Sequence, residues 1–262
     1  MYMIYLSFYG HKYHGWQYQD NALTIQEIVH KKLEEILKVE LPYPHGCSRT
    51  DTGVHALQFL ATLPNLYDIP AEALQKGLNS LLPDDIRINK IEKRDGFVDA
   101  RELVKGKHYR YLICTKKVAS PFASNLSWHS AYGLNIDEMN KAISQMTGTK
   151  DFASFMSTGS DVKTTVRTVS DARILKMDDY LIFDFKGDGF LKHQIRIMSG
   201  TLIAVGRGRI KGSSISEIIE AKDRNLVPHT LPGKGLFLYK LFYSKDEMDR
   251  YRFPDSFKEI IW

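Results

Sequence analysis

Cysteine is scarce in this 262-residue chain. Cys47 and Cys114 are the only two, too few for a disulfide scaffold or a four-cysteine zinc site. No apolar run approaches the roughly 18 residues that a membrane helix needs. The opening MYMIYLSFYGHKYHG lacks the basic segment, apolar stretch and cleavage site of a secretory signal. A cytoplasmic protein with no membrane partner is therefore expected. Strong charge of one sign is missing too. The 36 Lys plus Arg against 31 Asp plus Glu leave +5, a mild lean towards a polyanionic partner that many unrelated proteins share. Standard cofactor signatures fail: neither Gly187 with Gly189 nor Gly206 with Gly208 completes a dinucleotide fingerprint, and no Gly-Lys-Ser/Thr P-loop is present. The nine histidines are scattered. The closest groupings, His11 with His14 and His45 with Cys47, have no second paired set, so neither a metal nor a nucleotide cofactor is expected.

What is present suits a globular protein of two modest domains or one large one: 43% hydrophobic, 26% charged and 11% aromatic residues. Residues 2 to 9 alternate as a strand. Thr24 and Glu27 make a capping-box pattern ahead of a helix carrying Ile25, Val29 and Leu33 on one face. Strand-like stretches flank a turn-rich loop at 48 to 53. Pro70 opens a second helix, whose Leu74, Leu78, Leu81 and Leu82 share a face, and residues 86 to 92 alternate again. This order is β-α-β-β-α-β, and the rest of the chain repeats it. Strands are expected at 108 to 114, 169 to 176, 181 to 186 and 235 to 243. Helices are expected around Met139 to Met146 and Ile195 to Val205, with a short extra one capped by Ser214 and Glu217. The expectation is an α+β fold of two tandem ferredoxin-like halves, 1–104 and 105–262, joined into one mostly antiparallel sheet with helices on one face and a central cleft.

Three stretches carry candidate chemistry. In GCSRTDTGVHA (46 to 56) an arginine, an acid and a glycine occupy a tight loop between strands. Asp51, Thr52 and Gly53 are either a plain turn or one half of an aspartic-protease pair, which needs a second such acid. In GFLKHQIRIMSG (189 to 200), Lys192, His193 and Arg196 open a helix, with Arg196 one turn along from Lys192. Basic groups there oppose the helix dipole; they face either an anionic partner or solvent. In KHYRYLI (107 to 113), Tyr109 and Tyr111 share one strand face, with His108 and Arg110 on the other. The tyrosines are either core residues or a platform for a nucleobase.

Together these residues resemble the tRNA pseudouridine synthase A (TruA) family. YLSFYGHKYHGWQYQ, SRTDTGVHA, GLNSLLP, KGKHYRY, DFASF, GFLKHQIRIMSGTLIAVG, AKDR and GLFL match its blocks in order along almost the whole chain. The resemblance implies isomerisation of uridine to pseudouridine in the tRNA anticodon arm, by a homodimer without cofactor or metal. It implies Asp51 as nucleophile, Arg49 holding the flipped-out position open, Tyr109 packing on the base, Arg196 pairing with the acid and Leu236 lining the base pocket. Lys192 and His193 join the substrate-binding set. Two positions depart from the family: Val98 and Glu102 stand where aromatics are usual. A non-catalytic RNA-binding module is the competing reading, since ferredoxin-like sheets with exposed aromatics bind RNA unchanged.

Overall fold

The computed structural model describes residues 1–64, 68–159 and 162–257. The first 105 residues form β1 (Tyr2–Phe8), α1 (Ile25–Leu37), β2 (His45–Gly46), β3 (His55–Leu63), α2 (Ala71–Leu81), β4 (Ile86–Lys93) and α3 (Ala100–Leu103). Then come β5 (Gly106–Cys114), β6 (Trp128–His129), α4 (Ile136–Gln145), β7 (Gly148–Asp151), β8 (Val166–Met177), β9 (Tyr180–Gly187), α5 (Gln194–Gly206), α6 (Ile215–Ala221), β10 (Leu236–Phe242) and α7 (Lys245–Arg250). The fold is α+β with mostly antiparallel pairing, as expected. It comprises two compact units. One is Met1–Lys105 with Phe237–Tyr243; the other is Gly106–Leu236 with the chain from Ser244 onward. The expected halves would have kept the last strand with the C-terminal portion.

In the first unit β1 lies between β4 and β3, antiparallel to both, and β2 pairs antiparallel with the far edge of β3. That order, with α1 and α2 as the two crossovers, is the split β-α-β arrangement. β2 is only two residues long, opposite Ala61 and Thr62, and β10 pairs with β3 in parallel farther along, at His55 and Ala56. Thr24 caps α1, its Oγ1 accepting from Glu27 N at 3.4 Å, and the helix ends where Lys38 turns left-handed at φ 56°. Ile25, Val29 and Leu33 are fully buried, each stabilising by about 1.5–3 kcal/mol. Helix α2 buries Leu74 and Leu78, but Leu81 is exposed and Leu82 has already left the helix as an extended cap.

The second unit repeats the pattern as far as its second long helix: β5, α4, the β8–β9 hairpin and α5, with strands in the order β5-β9-β8-β7. Asp178, at φ 47°, makes the hairpin turn. α5 is buried nearly all round, and its end meets α4 where a Cβ on Gly206 would stand 2.5 Å from Met139 Sδ. Two expected helix starts are different here. α5 begins at Gln194 after His193, which is left-handed at φ 62°, so Lys192 and His193 precede the helix instead of opening it. Ser214 stands at the start of α6 but makes no side-chain cap, because its backbone continues a 3-10 turn (φ −87°, ψ 3°) and is not extended.

Candidate active site

Asp51 sits half-buried in the loop from β2 to β3. Local bonds shape this loop. Val54 N donates to Asp51 O at 3.1 Å, Gly53 is left-handed at φ 77°, and Gly53 N donates to Tyr13 O at 3.1 Å. Upstream, Cys47 is buried and its N–H bonds to Leu60 O at 2.9 Å. Against this loop lies the segment that follows β1, at glycine distance. A Cβ on Gly15 would stand 2.0 Å from Thr50 O, and one on Gly10 would stand 1.8 Å from Val54 O. The loop's exit is fixed as well. His55 Nδ1 accepts from Gly10 N at 3.0 Å, and the ring stacks on Tyr9 (4.9 Å) and on Phe237 (4.6 Å). Arg49 lies on the same loop and is exposed. Sequence reasoning picked out Arg49 and Asp51 but missed Gly10, Gly15 and His55, the residues that hold them in place.

The other expected site residues belong to the second unit. Tyr109 is 7% exposed on β5 and presents an edge-to-face contact to Phe190, 5.4 Å between centroids. Arg196 is half-buried in the first turn of α5, where its Nε donates to Leu231 O at 2.6 Å. Lys192 is exposed, and His193 Nδ1 shares a 2.7 Å hydrogen bond with Ser157 Oγ. Leu236 is buried at the start of β10. It follows Gly235, where a Cβ would stand 2.9 Å from the Tyr111 ring. Tyr111 donates to Pro232 O at 2.8 Å, and burial raises its phenol well above the ordinary range.

On the opposite face of β5 lies a buried ionic cluster that sequence reasoning placed on a strand face without foreseeing its burial. Arg110, Asp184 and Arg173 stand opposite one another on β5, β9 and β8. Asp184 accepts from Arg110 Nε at 2.6 Å, Arg173 Nε at 3.1 Å and His108 Nε2 at 2.8 Å. Burial alone would raise the Asp184 pKa, but the hydrogen bonds from His108 and Arg110 outweigh it and hold the carboxyl below its ordinary value. Desolvation lowers His108 in turn, so the neutral ring gives Nε2–H to Asp184 and accepts from Tyr251 Oη at 3.2 Å on Nδ1. α7 and the chain after it supply the remaining acceptors. Arg110 reaches the carbonyls of Ser256 (2.6 Å) and Pro254 (2.7 Å), and Lys186 those of Met248 and Tyr251 (both 3.1 Å). An aspartate inside the apolar run LIFDFK was the available signal, because burying a carboxylate in a core strand requires partners.

Among the described residues no group of three or more His, Cys, Asp or Glu is arranged to hold a metal, and no helix is long and apolar enough to cross a membrane. A family model described as tRNA pseudouridine synthase matches residues 142–244. The tRNA pseudouridine synthase A of Thermoanaerobacter sp. (strain X514) is 42% identical over 241 residues, 92% of this chain and 98% of that protein. Its counterpart in Acetivibrio thermocellus is 39% identical over 89% of this chain and 96% of its own length. That of Limosilactobacillus reuteri is 37% identical over 95% and 99%. With such identity over nearly the whole length of these proteins, the chain belongs to the tRNA pseudouridine synthase A family.

Proposed function

We propose that this chain isomerises uridine in tRNA to pseudouridine, with Asp51 as nucleophile. The observation carrying the reading is the near full-length likeness to proteins of that name; the half-buried acid in a backbone-braced loop is consistent with it. In the reaction the bond from base N1 to ribose C1′ breaks and C5 bonds to C1′. C5 gives up its proton and N1 gains one. No electrons leave and no energy input is required. A paired uridine must first turn out of its helix, at a cost of about a few kcal/mol. Stacking on Tyr109 offsets part of it, by about 1–3 kcal/mol.

Arg196 is the cation that keeps Asp51 ionised beneath the base. Arg49 holds the vacated position, Leu236 lines the base pocket, and Lys192 and His193 contact the phosphate backbone. The substrate region is the anticodon arm, and the working form is a cytoplasmic homodimer. Neither an aspartic-protease nor a purely RNA-binding role fits the family.

The test is incubation with unmodified tRNA transcript. The wild type should form pseudouridine, and Asp51→Asn should bind the transcript as tightly while forming none. Product from Asp51→Asn would end the assignment.

A further inference from the structure

Next to the aspartate loop, the first unit contains a pocket of about 220 Å³, of whose lining the reaction above uses Arg49 alone. Ser48 and Arg49 line it together with Gln17, Tyr43, His45 and Arg101. Arg49 is two residues before Asp51, at most about 8 Å along the backbone. No carboxylate lines the pocket. Asp99 stands behind it, taking Nε and Nη2 of Arg101 at 3.1 and 2.9 Å and meeting His45 Nδ1 at 2.9 Å. Hydrogen bonding from Arg101 outweighs burial and keeps the Asp99 carboxyl well below the usual carboxylate range, so its charge fixes both side chains throughout neutral pH.

Two bonds leave the guanidinium of Arg101 with three of its five N–H donors. The Arg49 guanidinium has no hydrogen bond or ion pair among the described residues. The remaining walls are stiff. Buried Gln26 accepts from Gln17 Nε2 at 3.0 Å, and the Tyr43 ring is stacked on Tyr18 and His30 at 4.8 and 4.1 Å. The guanidinium of Arg101, held by Asp99, and the exposed guanidinium of Arg49, with no carboxylate among the lining residues, suit a phosphate oxyanion. A base would find little stacking surface, because Tyr43 already stacks on two rings.

We propose that this pocket holds a backbone phosphate of the substrate RNA beside the target uridine. The proposal rests on the tRNA-modifying reading above, and its test separates the two. Binding of unmodified tRNA transcript is measured on the Asp51→Asn protein over about 50 to 200 mM salt. Arg101→Gln should weaken binding about tenfold and reduce the slope of log affinity against log salt by about one. A neutral methylphosphonate at a phosphate flanking the target should weaken the parent equally and cost nothing further in Arg101→Gln. Should Arg101→Gln fail to fold, Arg101→Lys, which keeps the charge but loses the paired guanidinium donors, replaces it and should show a smaller methylphosphonate penalty than the parent. Unchanged affinity and slope, or a methylphosphonate penalty identical in parent and variant, overturns the phosphate site. A wild type that forms no pseudouridine would instead overturn the function, with the binding comparison still readable.

Discussion

At position 15 a side chain has nowhere to go. Gly15 combines φ +85° with a neighbouring carbonyl, that of Thr50, 2.0 Å from where a Cβ would stand. Left-handed strain in a non-glycine residue costs about 1–3 kcal/mol, and here the displaced atom is the backbone next to Asp51. Gly15→Ala should therefore lower the melting temperature and slow pseudouridine formation more than its stability loss explains, since it shifts the loop that carries the acid. Equal melting and equal turnover would show that the two segments are not mechanically linked. The letters of the 46 to 56 stretch left a plain turn open, and the family resemblance supplied the roles expected of the acid and its arginine. The letters were silent on its brace, because two glycines in a polar stretch read as ordinary turn residues until the partner backbone is known.

At the scale of elements, periodicity was a good guide wherever one face is buried and the other wet, as in α1 and α4. It worked less well at element ends. The α5 start was mislocated because Lys192 and His193 continue the helical spacing in letters, while the left-handed backbone of His193 does not. The two-residue β2 and β6 are too short to carry any period. β5 and β9 are buried along almost their whole length, and the polar face of the pair is closed by the 251–257 segment through its carbonyls. Removing Asp184 would leave Arg110 charged and fully buried, a change that typically costs about 3–5 kcal/mol. Asp184→Ala should thus lower the free energy of unfolding by about that amount, read as a lower denaturant midpoint at unchanged slope. A midpoint within error of wild type would mean the cluster adds nothing to the fold.

For the molecule as a whole, acid should weaken the fold in two stages. Burial depresses His108 below the ordinary histidine value of 6.5, although Asp184 pulls the other way. The unfolded chain therefore binds that proton more readily, and the stability from the neutral ring is complete above about pH 6.5 and drains away as pH falls through the folded value. Asp184, held below its ordinary 3.8 by His108 and Arg110 against burial, adds a second loss below that pH. Besides Arg110, the cationic side chains near His108 are Arg173 and Lys186. Melting temperature measured from pH 7.5 to 5.5 should fall more steeply in wild type than in His108→Gln; parallel curves would remove His108 from the account.

The α+β class was legible from alternation and spacing. That the final strand is counted with the opening unit was not, because a parallel partner nearly two hundred residues away leaves no local trace. His55 stacks on Phe237 and pairs with it across the strands, and Phe237 leaves the ribosome long after His55 does. Until then the nascent β3 presents bare backbone at His55 and Ala56, an edge able to recruit stray strands. The segment bearing Asp51 is thus synthesised early and completed late, and a polypeptide halted after Lys105 would carry the reactive residue without the strand that finishes its support.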